Sequence, residues 1–205
     1  TLPLQPMPKA PQDYNFGSMT QFGPEWIHLG QPDEKAYEFN GKALRLHASK
    51  ATHDSTDPNT WVGLRQTSPN VSYETEIDCS GLKDAAAGLS VYQINDGHAD
   101  LVVSKTKSTI KSQLRMKLKA IDYVVGSQII TNSKALKTGK VALRITSNGL
   151  MYNFFVKDGN GQWNSLGSLN CSLLSTEVAG GFTGVTVGLF CNGDSGYADF
   201  TSLKI

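Results

Sequence analysis

Cysteine is scarce in this chain of 205 residues: there are three, Cys79, Cys171 and Cys191, so at least one thiol is unpaired, and none of their spacings resembles a zinc site. A disulfide scaffold is excluded, and a chain of this length can bury a core without staples. The thiols read as small core residues, with a Cys171–Cys191 bridge as the alternative. Net charge is scarce too. Lysines and arginines number 19 against 18 aspartates and glutamates, for a formal charge of +1, so no global field favours nucleic acid or an anionic membrane as partner. No apolar run approaches the roughly 20 residues that cross a bilayer as a helix. The first residues, Thr-Leu-Pro-Leu-Gln-Pro-Met-Pro, lack the basic and apolar regions of a signal peptide, so the chain reads as a mature product or an excised piece.

Capped helices of useful length are also missing. What is present is a series of short β-rich runs separated by Gly, Asn, Asp, Ser and Pro clusters. Leu114, Met116 and Leu118 alternate with Arg115, Lys117 and Lys119, the pattern of a half-buried strand. Two runs, from Val141 to Ile145 and from Met151 to Val156, flank Asn148-Gly149, a strong hairpin signal. The expected fold is all-β: a two-sheet antiparallel sandwich of the jelly-roll kind over residues 13–205. Residues 1–12, with prolines at 3, 6, 8 and 11, read as a linker or a strap lying on a surface.

Catalytic chemistry has one candidate. Glu74, Glu76 and Asp78 share one face of a strand, and i, i+2 neighbours lie about 6.6 Å apart, within reach of the roughly 6.5–9.5 Å separation of inverting glycosidases. Glu76-Ile77-Asp78 also matches the start of the Glu-x-Asp-x-x-Glu strand of jelly-roll glucanases. The second glutamate, the acid and base of that motif, falls on Ser80 or Gly81 here. A solvated acidic strand face is the commoner cause of such a run, so no catalytic residue is assigned. The four histidines (28, 47, 53 and 98) show no metal-ligand spacing; His53, Asp54 and Asp57 share a loop that could hold a cation, but exposed polar loops look alike without one, and no metal or other cofactor is expected. No nucleophile elbow or phosphate loop occurs.

Sugar binding needs aromatic faces and planar polar groups. Rings are available at Trp26, Trp61, Trp163, Tyr92, Tyr123 and Phe182, and polar groups at Arg65, Gln66, Gln93, Asn95, Asp96 and His98. Trp61, Arg65, Gln66, Tyr92, Gln93 and His98 form the candidate carbohydrate-binding set, although for any one ring packing within a sheet is the more common use. Phe182 is unusual: Gly180 and Gly181 place it on a tight loop before a strand, where it either caps the local core or reaches outside the domain.

Three segments together resemble the C-terminal β-sandwich domain of family 43 glycoside hydrolases, the β-xylosidase and α-L-arabinofuranosidase type. They are Trp61-Val62-Gly63-Leu64-Arg65-Gln66, the run from Ala87 to His98, and residues 175–189, followed by Ala198-Asp199-Phe200. The hairpin with Tyr152, Phe154 and Trp163 sits in matching order, and Leu4-Gln5-Pro6 is similar to the connector after the catalytic domain. Where many members carry two arginines before the glutamine, this chain has Leu64-Arg65-Gln66; where many have paired histidines, it has Gly97-His98. Residues 106–134 follow no pattern of the family.

The resemblance implies a concanavalin A-like sandwich packed on a five-bladed catalytic propeller, in the same polypeptide or a separate chain, with Phe182 reaching the rim of the propeller's pocket. It implies a non-catalytic module of an enzyme acting on plant polysaccharide, xylan or arabinan, in an extracellular or periplasmic setting. The alternatives are a free-standing carbohydrate-binding module and an intact jelly-roll glycan hydrolase using the strand carboxylates.

Overall fold

The computed structural model describes residues 13–107, 109–118 and 128–205, the side chains of 128–133 excepted. The proline-rich residues 1–12 and Tyr123 lie outside the described residues. In chain order the strands are β1 (Asp13–Asn15), β2 (Ile27–His28), β3 (Tyr37–Phe39), β4 (Leu44–His47), β5 (Trp61–Arg65), β6 (Asn70–Asp78), β7 (Leu82–Ile94), β8 (Gly97–Lys105), β9 (Ile110–Leu118), β10 (Gln128–Ala135), β11 (Lys140–Asn148), β12 (Met151–Asp158), β13 (Asn164–Asn170) and β14 (Thr186–Lys204). Helical structure among the described residues is limited to short turns, of which Thr176–Ala179 is the one α-helical turn; no described helix is long and apolar enough to cross a membrane.

Two antiparallel sheets share β14. Its first part pairs with β7 and β5, and β7, β8, β9 and β10 follow in order, with β2 beside β5; this is the front sheet. Its second part pairs with β1, β4 and β6, and β6 leads on to β11, β12 and β13, with β3 beside β4; this is the back sheet. The crossing between the sheets needs glycine. Gly193 and Gly196 have φ of 135° and 98°, and a Cβ on them would stand 2.5 Å from Ala85 Cα and 2.4 Å from the Gly81 carbonyl oxygen.

The hairpin read at Asn148-Gly149 joins β11 to β12: the Asn148 side chain accepts from the Leu150 and Met151 amides at 3.0 and 2.8 Å, and Gly149 has φ of 83°. The flanks of the atypical segment 106–134 form β9 and β10, which pair with each other. Between the sheets lies one core, with Leu89, Leu101, Leu114 and Leu189 from the front facing Ile77, Leu143, Phe154 and Phe200 from the back. All three cysteines are free, so the alternative of a Cys171–Cys191 bridge is not realised; Cys79 and Cys191 are buried small residues, and Cys171 sits half-buried with its Sγ 3.7 Å from Ser147 Oγ.

Candidate functional site

Strand alternation sends Ala87, Leu89 and Val91 of β7 into the core and turns Gly88, Ser90 and Tyr92 to the outer face of the front sheet. Register then sets the neighbours. Arg65, Thr186, Tyr92, His98 and Lys117 form one row across five strands, and Gly63, Gly188, Ser90, Asp100 and Arg115 form the next. Trp61 and Phe190 pair one row further on. Four of the six candidate sugar-binding residues, Trp61, Arg65, Tyr92 and His98, are thus brought to one face.

That face is covered. The loop 48–60 crosses it, tied by the Ser49–Asn192 bridge and by His53 and Asp54. Trp61 and His98 have no exposed surface. The indole fills a hollow made by two glycines: a Cβ on Gly188 would fall 2.2 Å from it, and one on Gly63 2.5 Å. Trp61, Tyr92, His53, His98 and Phe190 pack against one another as a second, aromatic layer over the sheet. The rings of Trp61 and His98 are therefore packed inside the chain and present no open platform to a sugar.

Within that layer lies a charge cluster that the sequence did not reveal. Asp100 is buried and accepts from Ser90 Oγ at 2.7 Å, His53 Nε2 at 3.0 Å, His98 Nδ1 at 2.9 Å and Arg115 at 3.4 Å. Asp54 binds the Arg115 guanidinium through both oxygens, and its Oδ1 stands 3.2 Å from His98 Nε2, an ion-pair distance off the line of a hydrogen bond. Lys117 pairs with Asp96 at 2.8 Å and donates to the Asp54 carbonyl at 3.2 Å.

Burial alone would lower the His98 pKa, but the charge and hydrogen bond of Asp100 and the nearby Asp54 outweigh it and hold it up at about 9. Burial would raise both carboxyls, yet the same partners outweigh it: the charges and hydrogen bonds of His98 and His53 hold Asp100 well below the usual range, and the close contact of the charged His98 together with the hydrogen bonds and charge of Arg115 holds Asp54 down. Donor atoms of His53, Asp54 and His98 lie within 4.8 Å of one another, a spacing a cation could use. The two carboxylates are nonetheless already balanced by Arg115 and the His98 imidazolium, so a metal would have to displace a proton held up to about pH 9. Asp57 is not in this group: it accepts from Ser55 Oγ at 3.2 Å on the exposed part of the loop.

The His98 proton has a consequence for stability. A pKa raised above the ordinary value of about 6.5 contributes stability that is complete below that pH and is lost as pH rises through about 9, on the order of 3 kcal/mol. Denaturant unfolding between pH 6 and pH 10 is expected to show this loss, and His98→Gln to flatten it. Stability unchanged across the range would mean that folding does not raise the His98 pKa.

The remaining candidates lie at the end of this sheet, around residues 180–184. Phe182 is 99 % exposed, on a loop where Gly180, Gly181 and Gly184 have φ of 84°, 81° and 72°. Arg65 donates to the Thr183 carbonyl, and buried Gln93 donates to the Gly180 carbonyl at 3.1 Å. Gln66 turns the other way, accepting from Tyr152 Oη at 2.8 Å and donating to the Ser68 carbonyl at 2.9 Å.

On the back sheet, Glu74, Glu76 and Asp78 do share the outer face. Glu74 is bound by Arg144 at 2.7 and 2.9 Å, whose guanidinium stacks on Trp163 at 3.9 Å. Glu76 and Asp78 line an open cleft of about 520 Å³ with Lys140 and Lys157.

Comparison with known proteins agrees with this architecture. The sequence matches the family described as the β-xylosidase C-terminal concanavalin A-like domain over residues 13–205. A non-reducing end α-L-arabinofuranosidase of Bacteroides ovatus is 27 % identical over 175 residues, 84 % of this chain and 32 % of that protein. A xylosidase/arabinosidase of Butyrivibrio fibrisolvens is 23 % identical over 157 residues, 76 % of this chain and 29 % of its own length. The chain therefore spans about a third of the curated relatives it matches. Among solved structures, the family 43 protein from the xyloglucan locus of Bacteroides ovatus superposes with a TM-score of 0.86 at 25 % identity, over 99 % of this chain and 40 % of that one. The catalytic LamA chain of Zobellia galactanivorans, at 10 % identity and a TM-score of 0.62 over 94 % of this chain and 95 % of its own, shares the fold alone. On the match over 13–205 and the two-sheet architecture, this chain belongs to the β-xylosidase C-terminal concanavalin A-like domain family of family 43 glycoside hydrolases.

Proposed function

We propose that the chain is the non-catalytic sandwich module of a family 43 glycoside hydrolase acting on xylan- or arabinan-type plant polysaccharide, and that it packs on a catalytic propeller with Phe182 at the rim of the propeller's pocket. The observation that carries this reading is Phe182 itself. An exposed phenylalanine ring leaves about 2 kcal/mol of burial unused, and here the glycine loop turns it fully away from its own core. The names of the relatives, an arabinofuranosidase and a xylosidase/arabinosidase, support the substrate class. The carboxylates support a non-catalytic role: Glu74 is neutralised by Arg144, and Ser80 or Gly81 occupies the place of the second glutamate.

A free-standing carbohydrate-binding role is favoured by one observation, the back-sheet cleft with Glu76, Asp78, Lys140 and Lys157 beside Trp163. A single experiment separates the readings. With the chain joined to a family 43 propeller, Phe182→Ala is expected to raise KM for a nitrophenyl xyloside or arabinofuranoside about tenfold, while the isolated chain shows no tryptophan fluorescence change with xylo-oligosaccharides. Unchanged KM together with saturable quenching by the isolated chain would transfer the function to the back sheet.

A further inference from the structure

Two side chains from separate strands end on the backbone of the Phe182 loop, one at each side of the aromatic. Arg65, the last residue of β5, donates its guanidinium to the Thr183 carbonyl. Gln93, near the end of β7, donates its amide to the Gly180 carbonyl at 3.1 Å. Both acceptors belong to a run whose three glycines take positive φ, a backbone that is entropically costly to order. The loop also rests on the turn between β7 and β8. A Cβ on Gly181 would meet Ile94 Cγ2 at 3.2 Å, and one on Gly97 would meet Ala179 Cβ at 3.1 Å, so a side chain at either position would crowd this approach. Gln93 is 3 % exposed and lies beneath the loop, out of reach of an open sugar contact, whereas Arg65 is exposed and spends one guanidinium nitrogen on the loop carbonyl.

We propose that Arg65 and Gln93 are positioning residues that clamp the loop in the shape that projects Phe182, and so influence substrate fit in the assembled enzyme without touching sugar. The proposal rests on the reading of Phe182 given above. In this arrangement Arg65 supplies a planar donor from the edge of the front sheet, and Gln93 supplies a buried one from beneath the loop. The Gln93 Oε1 has no partner among the described residues, so this amide is held to the loop by its Nε2 end alone.

The test has two parts. In the 205-residue chain, amide hydrogen exchange in 180–184 is expected to accelerate about tenfold in Arg65→Ala and in Gln93→Ala, with the rest of the front sheet protected as before and Phe182→Ala without effect on the loop. Exchange unchanged in both variants would overturn the clamp, whatever Phe182 does. In the chain joined to a family 43 propeller, Arg65→Ala is expected to raise KM more than it lowers kcat, to add nothing to Phe182→Ala in the double variant, and to be largely rescued by Arg65→Lys. Additive effects in the double variant would mean that Arg65 acts on substrate independently of Phe182 and would overturn the proposal. If Phe182→Ala itself leaves KM unchanged while loop exchange still responds to Arg65, the reading of Phe182 fails and the positioning role falls with it, although the clamp persists as a structural contact.

Discussion

Asp100→Ala is expected to destabilise the chain by on the order of 4 kcal/mol, because it removes one partner from a buried ionic network and leaves the others in place. Asp100 is 1 % exposed and accepts from Ser90, His53, His98 and Arg115. Without it, the His98 imidazolium and the Arg115 guanidinium share Asp54 alone, and Ser90 and His53 lose their acceptor inside the aromatic layer. The loss is local in cause and general in effect, since His53 and Asp54, with the Ser49–Asn192 bridge, fasten the loop 48–60 to the front sheet. Urea unfolding of the variant at pH 7 measures the difference. Amide exchange in residues 50–57 is expected to rise even where the sheet remains protected. A cost below about 1 kcal/mol would show that the loop is held by Trp61 and the Ser49–Asn192 bridge alone, and that the cluster contributes little net stability.

The sandwich was legible because strand periodicity is local. Leu114 against Arg115, and Asn148-Gly149 between two apolar runs, announce their structure within a few residues. The charge cluster was not legible, because its members come from three places: a polar loop at 53–54, β8 at 98 and 100, and β9 at 115. One signal was present. His98 and Asp100 stand two apart on a strand and so share a face, and the same holds for Arg115 and Lys117. A polar strand face ordinarily meets water; here a loop without periodicity lies over it, and only the folded chain brings His53 and Asp54 to that place. The acidic run at 74–78 was read to the correct face, but the arginine that binds Glu74 is seventy positions away in sequence. Phe182 was legible as a turn aromatic because its glycines are adjacent to it, whereas the roles of Arg65 and Gln93 as donors to that loop required the register of β5, β7 and β14.

Trp61→Ala is expected to cost about 4 kcal/mol, within the range for deleting a buried aromatic, and to lower the melting temperature by roughly 10 °C in a chain of this size. As a sequence feature, Trp61 suited a sugar platform as well as a core. The structure separates these uses. Its indole has no exposed surface and lies in the hollow that Gly188 and Gly63 leave on the front sheet, a packing also signalled by interior glycines in two strands. One hydroxyl engages both of its backbone polar groups: Tyr37 Oη donates to the Trp61 carbonyl at 3.0 Å and accepts from the Trp61 amide at 3.1 Å, at the point where the loop 48–60 enters β5. Truncation to alanine would leave a cavity over the sheet, walled by Tyr92 and by the Gly63 and Gly188 backbone, which packed neighbours can close only in part. Trp61→Phe would keep much of the volume and is expected to lose less than half as much. Thermal unfolding of the three proteins in parallel measures this. A melting temperature unmoved by Trp61→Ala, with binding of xylo-oligosaccharides lost, would return Trp61 to the ligand surface and require the loop 48–60 to open over the front sheet.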